Sequence, residues 1–141
     1  MTVEDVARTG VLTAPPDQSV GNLATVMKEE NVGSVVIVDD DDSPVGIVTD
    51  RDLVLNVLEP REDPSQVTAG DVMADALVTV DPDRGVLDAI EIMHEHSVRR
   101  LPIVDSAGAM AGIVTLDDLV RLLAEELETL AEIVESESPP Y

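Results

Sequence analysis

The chain has 141 residues, 44% of them apolar, and 30 acidic residues against 8 basic ones give a net charge of −22. That balance excludes non-specific nucleic-acid binding, which needs a basic footprint. The absence of cysteine excludes disulfides and thiolate metal sites.

The N-terminus MTVEDVARTG has no apolar stretch of signal-peptide length, and 3-VEDVA-7 reads as a short lead-in. An apolar segment, 11-VLTA-14, precedes a Pro-Asp turn. Val20, Leu23 and Met27 then recur at helical spacing, which predicts an amphipathic helix starting near Ser19. A strand follows over 34–39, then a tight turn through 39-DDDD-42, a second strand over 44–49, and a helix from Asp50. The stretch 59-EPREDPSQ-66, within a boundary region of 59–68, reads as a linker. The series then returns: lead-in 69-AGDVM-73, segment 77-LVTV-80, a helix from Arg84 carrying Val86, Ala89, Ile90 and Met93, strands over 100–105 and 110–115, and a helix from Leu116. This last helix is predicted to run on through 119-LVRLLAEELETLAEIV-134, ending in the acidic tail ESESPPY. The only aromatic residue is Tyr141, so the core must be aliphatic. No apolar run is long enough to span a membrane, and the expected location is the cytoplasm.

High net charge is the mark of disorder only when hydropathy is low. Here mean hydropathy is +0.12 and the apolar residues are patterned. The acidic, lysine-poor surface, with Lys28 alone, resembles proteins of salt-loving organisms. In concentrated salt the Debye length falls to about 3 Å and self-repulsion is screened.

The chain repeats itself. A shift of 66 residues aligns it without a gap, with 19 identities in 54 columns over residues 5–58. Met27 falls on Met93, 37-IVD-39 on 103-IVD-105, and 46-GIVT-49 on 112-GIVT-115. Two copies cannot form a solenoid, but each can bury the other's apolar face across a pseudo-two-fold axis. The predicted class is α+β: two β-α-β-β-α repeats with sheets packed face to face. Copy one with its lead-in is 1–58, the linker 59–68, copy two 69–125, and the helical extension with its tail 126–141.

The pairs 11-VLTAPPD-17 with 46-GIVTDRDLV-54, and 77-LVTVDPD-83 with 98-VRRLPIVD-105 and 112-GIVTLDDLV-120, resemble a tandem pair of cystathionine β-synthase (CBS) domains, a Bateman module. The resemblance spans roughly residues 3–125 and is of halophilic type. It implies a regulatory, non-enzymatic module that binds an adenosine derivative between its halves: AMP, ADP or ATP (the last with Mg²⁺), S-adenosylmethionine or a dinucleotide. No catalytic cofactor is implied. Family members often dimerise, so a homodimer and an unidentified regulated protein are the expected partners, with no nucleic acid and no membrane.

By that resemblance, Asp52 and Asp118 hold ribose hydroxyls and Thr49 and Thr115 reach phosphate or ribose. Thr-x-x-Asp before an apolar run is also a helix capping box, and the two roles can coexist. One cleft is expected to comprise Ile47, Thr49, Asp50, Arg51, Asp52, Val78, Val98, Arg99, Arg100 and Pro102, with guanidinium groups suited to phosphate. The other is expected to comprise Leu12, Val32, Gly33, Ser34, Val36, Ile113, Thr115, Leu116 and Asp118. Gly33-Ser34 replace Arg99-Arg100 there, and Asp117 stands where Arg51 stands in the first. The expectation is asymmetry: a phosphorylated ligand beside Asp52, and an arginine-free, weaker cleft beside Asp118.

Other features read as structural. The acidic run 39–42 lacks the spacing and closing Glu of a Ca²⁺ loop. His94 and His96 are two apart and so point to different faces of a helix. No serine lies in a nucleophile elbow, and neither a P-loop nor GxGxxG occurs. The alternatives to a nucleotide sensor are an interaction module whose Thr-x-x-Asp pairs are caps alone and, as a distant third, a Mg²⁺-dependent nucleotide hydrolase. Val120, Leu123, Leu127, Leu130 and Val134 form one stripe on the last helix, widened by Leu119, Leu122, Ala131 and Ile133. The first turns belong to the core of the second copy, and the rest is an exposed apolar face that needs cover.

Overall fold

A computed structural model describes residues 1–74, 76–137 and 139. The tail's Ser138, Pro140 and Tyr141 lie outside the described residues. Helix α1 (Val3–Val6) leads to strand β1 (Thr13–Ala14), helix α2 (Val20–Glu30), strands β2 (Ser34–Val38) and β3 (Pro44–Thr49), and helix α3 (Asp50–Leu53). Helix α3 passes directly into a π-helical turn, Val54–Leu58. The second series is α4 (Ala69–Val72), α5 (Val86–His96), β4 (Arg100–Val104), β5 (Met110–Thr115) and α6 (Leu116–Glu137).

Local chemistry sets the boundaries. Ser19 caps α2 by accepting a hydrogen bond from the Asn22 N–H. The two long helices of the repeats end alike: Asn31 and Ser97, 66 residues apart, are both left-handed at φ 53°. Four Thr-x-x-Asp capping sequences open α1, α3, α4 and α6, at Thr2, Thr49, Thr68 and Thr115. Strand β1 pairs parallel with β2, and β2 antiparallel with β3, placing Ser34 beside Thr49. The second hairpin repeats this, with Arg100 beside Thr115, and Val80 contributes a single parallel bridge to Ile103.

There are two aliphatic cores, and each is completed by the other repeat's lead-in. The first contains Leu23, Met27, Val35, Ile37 and Val48, together with Ala69 and Val72 of α4. The second contains Ala89, Met93, Leu101, Ile103 and Val114, together with Val3 of α1. The lead-in predicted to accompany copy one thus packs on copy two, and the reverse. Strand alternation explains the join between the halves. Val35 and Ile37 point into the first core, so Val36 points the other way, yet it is also buried. Pro102 and Ile113 are buried outside the second core in the same manner. These opposite sheet faces cover one another, and the Met110 N–H donates to the Asp42 carbonyl across the join.

The exchange explains the glycine of each GIVT. A Cβ on Gly112 would lie 2.9 Å from the Arg8 carbonyl oxygen, and one on Gly46 would lie 2.5 Å from Met73 Sδ. Arg8 and Ile113 exchange backbone hydrogen bonds of 2.9 and 3.0 Å, which fixes the first lead-in on β5.

Candidate functional site

Strand β3 delivers Thr49 to the N-terminus of α3, at the rim of the join. The Asp52 N–H donates to Thr49 Oγ1 at 3.2 Å, and the Thr49 N–H donates to Asp52 Oδ2 at 2.8 Å. The capping box is therefore formed. It uses one oxygen of Asp52; Oδ1 has no hydrogen-bond partner among the described residues. Asp52 is one of the residues lining a cleft of about 570 Å³, with Ile47, Thr49, Asp50, Arg51, Val78, Val98, Arg99 and Arg100. Ala74, Ala76, Leu77 and Ser97 add to the wall, and the chain pattern alone had not marked them. Their signal was their position, since 74–78 follows the exchanged lead-in α4.

Pro102 departs from the expected set. It is fully buried and does not line the cleft. Arg100 and Pro102 lie two apart on β4 and share its face toward the join; Arg100 opens the strand and stays at the rim, while Pro102 sits deeper.

The second cleft, about 480 Å³, brings together Leu12, Val32, Gly33, Ser34, Val36, Ile113 and Thr115. It differs from expectation in two ways. First, it is not free of arginine: Arg8, Arg99, Arg100 and Arg121 all line it. Arg8 arrives with the exchanged lead-in and Arg121 from the second turn of α6. Arg100 borders both clefts, with Nη2 3.7 Å from the point a Gly33 Cβ would occupy. Asp117, expected to repel phosphate, is paired with Arg99 at 3.3 Å. Both side chains are well exposed, so this pair contributes little.

Second, Asp118 is not available in the cleft. Its Oδ1 accepts from Arg8 Nε at 2.9 Å and forms an ion pair with Arg8 Nη2 at 2.7 Å, and its Oδ2 accepts from Thr115 Oγ1 at 2.7 Å. The Asp118 side chain is only 9% exposed and does not line the cleft. Leu116 likewise packs on the second core rather than the cleft wall. Burial works against the charge of Asp118. The bonds from Arg8 and Thr115 outweigh it and hold the carboxyl below its ordinary value of 3.8. The same bond raises the Arg8 guanidinium.

The two clefts are thus asymmetric in an unforeseen sense. One has an open carboxylate oxygen with three arginines near it. The other has four arginines and a carboxylate already taken by one of them.

The remaining candidates are structural in place. Asp39 Oδ1 accepts from the Asp41 and Ser43 N–H groups, closing the β2–β3 turn. His96 Nδ1 lies 3.0 Å from the Ile92 carbonyl oxygen on its own helix.

Known proteins agree with this architecture. The CBS domain family model matches residues 3–59 and again 69–125. Hypoxic response protein 1 of Mycobacterium tuberculosis is 35% identical over 124 residues, which is 88% of this chain and 86% of that protein. The crystal structure of Hypoxic Response Protein I with two coordinated zinc ions superposes at a TM-score of 0.77 and 33% identity, covering 86% of this chain and 98% of that one. The CBS domain pair of protein MJ0100, in complex with 5-methylthioadenosine and S-adenosyl-L-methionine, superposes at 0.80 and 25% identity over 89% and 98%. CBSX2 in complex with AMP superposes at 0.75 and 27% identity over 88% and 97%.

Proposed function

The chain belongs to the CBS-domain family as a tandem pair, and from that premise we propose that it is a regulatory sensor of an adenosine derivative, with AMP, ADP or ATP foremost. The observation that carries this is that Asp52, whose Oδ1 has no hydrogen-bond partner among the described residues, lines the 570 Å³ cleft. A carboxylate there can accept from two vicinal ribose hydroxyls in charge-assisted bonds. Ile47, Leu77, Val78 and Val98 give the cleft an apolar wall for a base. Arg51, Arg99 and Arg100 supply cations for phosphate, suited to it by guanidinium geometry. The volume lies within the ordinary range of small-molecule sites. The capping function of Thr49 and Asp52 supports the reading, because it holds the corner in place before any ligand arrives.

A sensor needs two states with different affinities for its ligand. The join between the halves is the element for this, since Arg100 borders both clefts and a ligand charge in either one acts on it. A regulated protein would read the resulting change. S-adenosylmethionine, present in the MJ0100 complex, is the second candidate. A sulfonium carries positive charge, so three arginines favour the phosphorylated ligands over it. Zinc finds no equivalent support: among the described residues no three His, Cys, Asp or Glu side chains converge.

Thermal melting with AMP, ADP, ATP, S-adenosylmethionine and NADH tests the proposal. A ligand at 100 times its Kd should stabilise the fold by about 2.7 kcal/mol. A rise in Tm with an adenine nucleotide, and none with inorganic phosphate alone, is expected. A flat response to the whole panel would return the Thr-x-x-Asp pairs to capping alone and leave an interaction module.

A further inference from the structure

Helix α6 runs for 22 residues, yet Leu119 is its only buried residue. Every residue from Leu123 to Glu137 is exposed. These 15 residues extend about 22 Å at the usual rise. An isolated helix of this composition should be weak. Glu125, Glu128, Glu132 and Glu135 are spaced three or four apart, and Arg121 is the last basic residue of the chain. Like charges at that spacing destabilise a helix, and no cation is present to reverse the effect. Short helices need tertiary packing to persist.

The apolar residues supply the pattern for such packing. Val120, Leu123, Leu127, Leu130 and Val134 are spaced 3, 4, 3 and 4 apart. That is the a/d repeat of a coiled coil, broadened at the flanks by Ala124, Ala131 and Ile133. Each of the five is 43–66% exposed. The a positions are Val120, Leu127 and Val134; the d positions are Leu123 and Leu130. Valine at two of the three a positions, with leucine at both d positions, matches the two-stranded pattern, and Leu127 at the central a departs from it.

The flanking positions fit a second copy of the same helix. Ala124 and Ala131 fall at e, and Glu126 and Ile133 at g. In a parallel pair, g faces the partner's following e, so Glu126 meets the partner's alanine and no like charges oppose each other at the seam. In a centred antiparallel pair, Glu126 would meet its own counterpart. Within 120–134, Glu125 and Glu132 occupy f and Glu128 occupies b, all pointing to solvent, and Glu137 at the next d position ends the seam. Five seam residues and Ile133 bury on the order of 1,200 Å² in total when two helices pair, the size at which specific interfaces begin.

We infer that residues 120–134 of α6 form a parallel two-stranded coiled coil with the same segment of a second copy, joining two modules side by side. The inference stands whatever the clefts hold.

The test is sedimentation equilibrium of the full chain at 2 M KCl, where charge repulsion between copies is screened. Wild type should be a dimer at micromolar concentration. Leu127→Glu combined with Leu130→Glu should weaken dimerisation at least 100-fold. Both positions are exposed, so the thermal melt of the diluted monomer should be unchanged and a loss of fold can be recognised. Because the chain has no cysteine, single variants report orientation. Val134→Cys alone should form an inter-chain disulfide under mild oxidation. A monomeric wild type, meaning that the face serves another protein, would overturn the inference. So would an unchanged dimer in the double variant, or cross-linking of Val134→Cys only to Val120→Cys.

Discussion

Arg8 and Asp118 stand 110 residues apart in the chain and meet at one carboxylate oxygen, through a hydrogen bond from Nε at 2.9 Å and an ion-pair contact from Nη2 at 2.7 Å. Asp52, the residue equivalent to Asp118 in the first repeat, keeps its corresponding oxygen open. One inherited corner is thus used in two ways. In the second repeat a guanidinium from the exchanged lead-in already takes the carboxylate. In the first the carboxylate faces a cleft.

The Arg8–Asp118 contact should be measurable as a coupling. A double-mutant cycle of Arg8→Ala and Asp118→Asn is expected to give roughly 1 kcal/mol, because Asp118 is largely buried while Arg8 is mostly exposed. Denaturant unfolding of the four proteins measures it. A coupling near zero would make the contact incidental.

That coupling has a defined pH dependence. The Asp118 carboxyl is held below its ordinary value of 3.8 in the fold. A depressed carboxylate pKa means that the unfolded chain takes up the proton first as pH falls. The contribution of Asp118 is therefore complete above its ordinary value and is lost as pH drops through the lower, folded value. The stability gap between wild type and Asp118→Asn should be constant from pH 5 to 7 and shrink below about pH 4. A gap that grows toward acid would reverse the sign. The comparison must be made within the pair, since acid also relieves the repulsion of a chain at −22.

The two GIVT glycines should differ under the same substitution. In Gly112→Ala the new methyl meets a backbone carbonyl of the lead-in at 2.9 Å, whereas in Gly46→Ala the nearest atoms belong to the side chain of Met73. Overpacking of this kind costs about 1–3 kcal/mol, and a side chain yields more readily than a backbone. Gly112→Ala should be the more destabilising of the two by denaturant midpoint. Equal losses would show that the lead-in moves freely on β5.

Stability should rise with salt. With 30 acidic and 8 basic residues, self-repulsion dominates the surface. Screening increases as the Debye length falls from about 10 Å at 0.1 M to about 3 Å at 1 M. Tm should climb over that range in NaCl and KCl alike. A falling Tm would mean that ion pairs such as Arg8–Asp118 outweigh the net repulsion.

Much of this was legible in the chain because it is written twice. Helical spacing at Val20, Leu23 and Met27 recurs at Val86, Ala89 and Met93, and so do both hairpins. The exchange of lead-ins was not legible. Residues 3–7 carry apolar positions suited to either core, and only the packing of the halves decides which one takes Val3. Arg8 was missed for the same reason, as nothing near it in sequence points to Asp118. Pro102 was misplaced because it shares a strand face with Arg100 at the rim, and two residues further along β4 that face is already covered by the join. The repeated glycine at 46 and 112 was the one unused clue, since a buried glycine in a strand signals close backbone approach.

Calorimetric titration of AMP into wild type, Asp52→Asn and Asp118→Asn tests the central claim most directly. Binding beside Asp52 predicts that Asp52→Asn weakens affinity at least tenfold, the loss of one charge-assisted pair at about 1.4 kcal/mol or more. Asp118→Asn should leave it within about threefold, since that carboxylate is already taken by Arg8. Loss of binding in Asp118→Asn with Asp52→Asn unaffected would contradict the account.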